Sequence, residues 1–229
     1  MNDKAAREFV VDIFDEVNED LRAERAQKLL MRYGGVIVAV AIAIVGAAGA
    51  WQAWHWWQAK QDSAAATAYV GVMGTADSTT PSGIAARPGT AAALEGIATN
   101  APEGYRILAR LRAAALKSDL GDAAGAAALW DQVAGDTSAP PVLRDLASLL
   151  WAEHQVDHGD PALVAARLQA LAAPGGTWRA MAQEQLALLD LRQGKNDAAK
   201  DTLRKLADDV TAPSGVRGRA SSLVSKLGG

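Results

Sequence analysis

Hydrophobic and polar residues follow three different patterns along this chain of 229 residues, and each pattern predicts a different kind of element. Residues 4–31 carry apolar side chains at intervals of one, three and four, the spacing of one face of an α-helix. Between Arg32 and Lys60 no charged residue occurs, and residues 36–50 are apolar without interruption. Beyond residue 58 the apolar positions return to helical spacing and recur with a long period.

The uninterrupted apolar segment predicts one transmembrane helix over residues 33–57. About 20 apolar residues, rising 1.5 Å each, cross a hydrocarbon core of ~30 Å. Aromatic residues expected to anchor the helix at the two membrane interfaces are Tyr33, Trp51, Trp54, Trp56 and Trp57. The alternative is a cleavable signal peptide that ends near the small residues 48–50. The 32 residues that precede the apolar segment, eight of them acidic, disfavour this alternative.

Basic residues predict the orientation of this helix. Four of them closely precede the apolar segment: Arg22, Arg25, Lys28 and Arg32. On the other side, Lys60 is the only basic residue before Arg87. Because basic flanks stay in the cytoplasm, we expect residues 1–32 to form a cytoplasmic leader helix and residues 58–229 to be exported.

Two features of the first 57 residues predict contacts with other chains. The apolar stripe of the leader lies opposite acidic side chains, so a protein partner is favoured over the anionic inner leaflet. Along the span, small residues recur every fourth position, at Ala39, Ala43 and Ala47, where another membrane helix could approach closely. One interpretation is self-association through this face. The alternative is that the spacing arises by chance, because the span is rich in alanine.

Three glycines, Gly121, Gly159 and Gly194, interrupt strong helical patterns at the same point of a repeat. An alanine stands seven residues before each of them, and bulky apolar residues stand nine and twelve residues after. These positions are Ala114, Ala152, Ala187; Trp130, Leu168, Leu203; and Val133, Leu171, Leu206. We expect helix pairs whose first helix ends at the glycine in a left-handed turn. The second helices are predicted to begin at the polar residues Asp122, Asp160 and Asn196.

A partial fourth copy lies upstream, at Leu94, Ile97 and Ala98. The sequence therefore predicts an all-α protein with three to four helix pairs after the span. Within this domain we expect a loop over residues 77–89 and a last helix over residues 213–227 that covers the terminal apolar face. A period near 34 residues with small residues at these offsets resembles the tetratricopeptide repeat, in a degenerate form.

Composition narrows the function further. A formal net charge of −3 argues against a nucleic-acid-binding protein. The absence of cysteine excludes disulfides, thiolate metal sites and cysteine nucleophiles. His154 and His158 stand four residues apart and raise the alternative of a metal-dependent enzyme, but the pattern lacks the glutamate and third histidine of metalloproteases. We expect no catalytic residues, no metal and no cofactor.

A repeat array typically binds proteins on one of its surfaces. The repeated bulky residues belong to the core, so partner-binding residues are predicted on the opposite side of each first helix. The candidates are Arg106, Arg110, Lys117, Gln155, Gln183 and Asp190.

The order of the segments resembles a bacterial inner-membrane family, the YfgM-like ancillary subunits of the SecYEG translocon, in their alphaproteobacterial form. The resemblance rests on the leader motif at residues 13–17, the basic run up to residues 32–34, the tryptophan-rich end of the span and the degenerate repeats. It implies an inner-membrane anchor and a periplasmic domain. It also implies binding to SecYEG and to a periplasmic chaperone or prolyl isomerase, with assistance in the hand-over of exported polypeptides. A scaffold for envelope assembly or division is the alternative.

Overall fold

The computed structural model describes the backbone of residues 3–228 and the side chains of residues 31–228. This part of the chain contains nine α-helices and no strand. The helices are α1 (Asp3–Ala76), α2 (Pro81–Asn100), α3 (Glu103–Asp119), α4 (Ala123–Gly135), α5 (Pro141–Gln155), α6 (Pro161–Leu171), α7 (Arg179–Arg192), α8 (Asn196–Asp208) and α9 (Ser214–Lys226). The chain divides into two compact units, Met1–Lys60 and Gln61–Gly229.

The first unit contains most of α1. Within that helix, Met31–Ala76 is long and apolar enough to cross a membrane, and its most apolar window is wholly exposed. The helical backbone also covers residues 4–31, the predicted leader. The apolar stripe of the leader lies outside the residues whose side chains the structure describes, so its partner stays a prediction.

The second unit is built from helices that pack mainly on their neighbours in sequence. The last turns of α1 pack with α2 and α3 around Ala76 and Leu94. The pairs α3 with α4, α5 with α6, and α7 with α8 follow, and α9 packs on α7 and α8. Counting the end of α1, the described residues form four helix pairs and one further helix, in agreement with the predicted all-α repeat.

The repeat positions form the core of this unit. All nine alanine and bulky positions of the repeat are buried, from Ala114 on α3 to Leu206 on α8. Trp130, Leu168 and Leu203, which share one repeat position, are each at most 1% exposed. Full burial of a side chain of this size contributes about 1.5–3 kcal/mol. The prediction that these positions face the core is therefore confirmed.

The turns between paired helices follow the prediction at two of three glycines. Gly121 and Gly194 have φ of 84° and 75°, the left-handed region that favours glycine. Gly159 does not enter this region, so the prediction is wrong there. Glycine is required at 159 for a different reason: a Cβ atom would lie 2.8 Å from the carbonyl oxygen of Gln155.

The starts of the second helices agree with the prediction for the two aspartates. Asp122 accepts a hydrogen bond from the N–H of Gly125, and Asp160 accepts one from the N–H of Ala162, each at 2.9 Å. In the third repeat, Asn196 is the first helical residue and no side chain caps the helix. The prediction that this helix begins at Asn196 is therefore confirmed, although its start lacks the side-chain cap found at the two aspartates.

The predicted loop over residues 77–89 is much shorter in the structure, because α2 begins at Pro81. The Oγ1 atom of Thr80 accepts a hydrogen bond from the N–H of Gly83 at 3.2 Å, and proline suits the first position of a helix. Only residues 77–80 separate α1 from α2. Thr80 and Pro81 thus form a helix start. The segment resembles a loop in the sequence because it is rich in serine, threonine, proline and glycine.

The repeat core predicts a position-dependent effect on α6. Replacing Leu168, which is wholly buried, with alanine should lower the free energy of unfolding by about 2–5 kcal/mol. Leu163 lies on the same helix but is 48% exposed, so Leu163→Ala is the matched control and should change stability far less. Urea unfolding of the full-length protein in detergent, followed by circular dichroism, measures both. Equal losses for the two variants would contradict the burial pattern.

Candidate partner-binding groove

A groove of about 1050 Å³ opens between α5, α7 and α9. These are the first helices of two successive repeats and the helix that follows them. The lining residues are Glu153, Met181, Glu184, Gln185, Leu188, Gly215, Gly218, Arg219, Ser222, Leu223 and Lys226. Met181, Leu188 and Leu223 supply half-buried apolar surface, and Glu153 and Lys226 supply exposed charges of opposite sign. Such a mixture suits a polypeptide segment with apolar and polar side chains.

One ion pair joins two walls of this groove. Glu184 on α7 is only 4% exposed. Arg219 on α9 donates from Nε to Oε1 and from Nη2 to Oε2 of Glu184, each at 2.6 Å. The hydrogen bonds that Arg219 donates to Glu184 raise the pKa of Arg219, and the negative charge of Glu153 acts in the same direction. The bidentate pair satisfies a buried carboxylate and ties α9 to the array.

The repeat register shows how unusual Glu184 is. It stands ten residues before Gly194, and the corresponding residues of the two preceding repeats are Leu111 and Leu149. Both leucines pack in the main core cluster. A buried carboxylate therefore replaces a leucine in the last repeat. This polar position is visible in the sequence when the three repeats are aligned on their turn glycines, because glutamate then stands opposite two leucines.

The six residues predicted to bind partners lie on first helices, yet none of them lines this groove. All six are half-buried. They are Arg106, Arg110, Lys117, Gln155, Gln183 and Asp190. They are distributed over three first helices, α3, α5 and α7. Their role in binding stays a prediction.

Several of these side chains hold the array together. Asp136 accepts a hydrogen bond from Arg110 at 3.2 Å and lies 3.9 Å from Arg106. Lys117 contacts Glu95 on α2 at 2.8 Å and Asp122 at 2.9 Å. The hydrogen bonds to Glu95 and Asp122 raise the pKa of Lys117. These arginines and this lysine are thus engaged within the chain.

The candidates on the later helices also have partners within the chain. Gln183 accepts a hydrogen bond from Arg179 at 3.2 Å, and Asp190 lies 3.6 Å from Lys195. The main-chain carbonyl of Gln155 accepts the N–H of Gly159 at 2.7 Å. The side chain of Gln155 is therefore the part of this residue that another protein would contact.

An ion pair between Arg179 and Asp209 joins the two helices of the third repeat. Arg179 on α7 donates to Asp209 at 2.6 Å and to the hydroxyl of Thr211 at 2.9 Å. Thr211 in turn donates its hydroxyl and its N–H to Asp209. The Thr211 hydroxyl and the Arg179 guanidinium hold the pKa of Asp209 far below its usual range. The contact joins the start of α7 to the end of α8.

His154, one of the two histidines considered as metal ligands, contacts a main-chain carbonyl and an aromatic ring. His154 Nδ1 lies 2.9 Å from the carbonyl oxygen of Leu150, and its ring lies 4.4 Å from that of Trp130. Among the described residues, no group of three or more histidine, cysteine, aspartate or glutamate side chains could hold a metal ion.

The predicted membrane-anchoring aromatic residues belong to the first unit and are all exposed on α1. They are Tyr33, Trp51, Trp54, Trp56 and Trp57. The ammonium group of Lys60 lies 5.4 Å from the ring centre of Trp56, and the guanidinium of Arg32 lies 5.7 Å from that of Tyr33. These cation–π contacts sit at the two ends of the predicted span.

The buried carboxylate predicts a large effect of removing its partner. Arg219→Ala should lower the free energy of unfolding by about 1–3 kcal/mol, because Glu184 would remain buried and unpaired. The double variant Glu184→Leu/Arg219→Leu should recover most of this loss, since leucine fills the same position in the other repeats. Urea unfolding of the full-length protein measures both, and Arg217→Ala on the same helix is the control. A double variant as unstable as Arg219→Ala would contradict this account.

The lowered pKa of Asp209 predicts that the stability of the fold depends on pH in the acid range. A carboxylate whose pKa is lower in the folded state stabilises the fold above the unfolded value of about 4, and this contribution is lost as pH falls below it. Asp209→Asn should therefore be less stable than the parent protein at pH 7, with a difference that shrinks below about pH 4. Thermal unfolding across pH measures this. Asp201→Asn, at a mostly exposed side chain, should show little difference at any pH.

Comparison with known proteins agrees with this architecture. The family model described as a tetratricopeptide repeat-like domain matches residues 27–149, more than half of the chain. No curated protein and no solved structure matches the chain. The matched range ends within α5, and the same buried positions continue beyond it at Leu168 and Leu203. The chain belongs to the tetratricopeptide repeat-like domain family.

Proposed function

We propose that this protein is an adaptor anchored by one helix in a bacterial inner membrane, whose exported repeat domain binds partner proteins. The partners proposed are the SecYEG translocon and a periplasmic chaperone or prolyl isomerase, with which it assists the hand-over of exported polypeptides. A general role in binding other proteins follows from the tetratricopeptide-like domain. Such repeat folds are typically non-catalytic scaffolds. The Sec partners rest on the resemblance of the segment order to the YfgM-like subunits.

The groove between α5, α7 and α9 is the observation that carries the binding function. It combines half-buried apolar side chains with exposed charges, and its volume of about 1050 Å³ admits several side chains of a bound segment. Ion pairs hold the surrounding helices in place, including Glu184 with Arg219. A surface held rigid before binding loses less entropy on association than a flexible one.

The membrane anchor and its orientation rest on the sequence and on the character of α1. The segment Met31–Ala76 is apolar and exposed over its most apolar window. The span proposed within it, residues 33–57, is preceded by a basic cluster and ends in a tryptophan-rich segment. This arrangement favours a cytoplasmic N-terminus and a periplasmic repeat domain over residues 58–229.

The proposal predicts which proteins the full-length chain captures and which surface it uses. Tagged protein, crosslinked in membranes and purified in mild detergent, should enrich translocon subunits together with a periplasmic chaperone or prolyl isomerase, identified by mass spectrometry. Ser222→Trp places a large side chain in the groove and should reduce this capture severalfold. Ser221→Trp is the matched control, because Ser221 is exposed on the same helix but does not line the groove.

Further variants separate the two candidate surfaces. Gln155→Ala/Gln183→Ala tests the surface predicted from the sequence without removing the arginines that contact Asp136. Weaker capture by this variant, with normal capture by Ser222→Trp, would move the binding surface away from the groove. Enrichment of division or outer-membrane machinery instead of the translocon would overturn the Sec role and favour the envelope scaffold.

A further inference from the structure

An arginine recurs at one position of all three complete repeats. Arg106, Arg144 and Arg179 each stand fifteen residues before the turn glycine of their repeat. They lie in the first turns of α3, α5 and α7. A residue type that recurs in register is expected to have the same surroundings in each repeat, because the helix pairs are packed alike.

In two repeats a carboxylate of the same repeat neutralises this arginine. Asp136 and Asp209 stand fifteen residues after their turn glycines, directly after the second helix. Arg179 donates to Asp209 at 2.6 Å, whereas Arg106 lies 3.9 Å from Asp136, which Arg110 also contacts. In both repeats a hydroxyl two residues further on donates to the carboxylate at 2.6 Å.

The middle repeat lacks both of these groups. Pro174 stands where the others have aspartate, and Gly176 stands where they have serine or threonine. A different contact joins the linker to α5, since the indole Nε1 of Trp178 donates to the carbonyl oxygen of Val142 at 3.0 Å. The repeat therefore keeps its arginine and its packing but has lost the carboxylate.

Arg144 is consequently a cation without a partner among the side chains that the structure describes. Its side chain makes no hydrogen bond or ion pair with residues 31–228, whose side chains the structure describes. The residue is half-buried, and its Nε–H is buried without an acceptor. Arg106 has the same buried Nε–H, so Arg144 is distinguished by its missing carboxylate, a group that another polypeptide could supply to the guanidinium.

We propose that Arg144 receives a carboxylate from a bound polypeptide, an aspartate or glutamate side chain or a C-terminus. The partner would supply between chains the contact that Asp136 and Asp209 supply within this one. The planar guanidinium fork matches a carboxylate, which makes Arg144 a recognition point for acidic segments. This inference rests on the proposed binding of protein partners and adds the chemistry of one subsite.

The test uses the full-length protein in non-ionic detergent and two fluorescently labelled ten-residue peptides, one alternating alanine and glutamate, the other alanine and glutamine. Fluorescence anisotropy gives their dissociation constants. The glutamate peptide should bind about tenfold more tightly than the glutamine peptide, as one charged hydrogen-bonded pair allows. Arg144→Gln should remove this preference, and Arg144→Lys, which keeps the charge without the fork, should keep part of it.

A second variant fills the site from within. Pro174→Asp supplies the missing carboxylate at an exposed turn position and should remove the preference for glutamate while Arg144 is unchanged. Pro174→Ala, the matched control, should retain it. An equal preference in the parent protein and in Arg144→Gln would overturn the inference, as would no preference in the parent. Capture of translocon subunits by Arg144→Gln at the parental level would then show that the proposed function stands without this subsite.

Discussion

Close approach of helices through alanine is the constraint on which the array depends. Ala114, Ala152 and Ala187 are fully buried where a first helix meets its neighbours. Without side chains beyond Cβ, the backbones can approach until the bulky residues of the second helices, such as Trp130, fill the remaining space.

The sequence predicted the helix pairs, the buried positions and two of the left-handed turns, because these depend on local spacing and on glycine. It missed features that depend on context. Gly159 is required by a close carbonyl and not by its φ. The start of α2 at Pro81 depends on a cap by one threonine, Thr80, and the loop-like composition of the segment does not reveal it. Sequence spacing alone does not distinguish such caps from loops.

The candidate site was harder to predict than the fold. Helical spacing placed Arg106, Arg110 and Lys117 on first helices, and they do lie there, but each contacts an acidic residue of its own chain. Whether a surface cation is free depends on which carboxylates the fold brings near it, and these come from other helices. The pairing of Glu184 depends on the fold in the same way, since its partner Arg219 lies 35 residues away along the chain.

Contacts between sequence neighbours also determine the order in which the second unit can fold. Nearly every helix packs on the helix before or after it, so each pair can form as soon as its own residues are available, with little entropy lost in closing long loops. Glu184 depends on a later helix, because its carboxylate has no partner until α9 is in place. A chain that stops before α9 would present this carboxylate beside uncovered apolar surface at Ala187 and Leu203. Loss of α9 would therefore expose apolar surface together with an unpaired carboxylate, and transiently exposed apolar surface is what makes incompletely folded chains prone to aggregation.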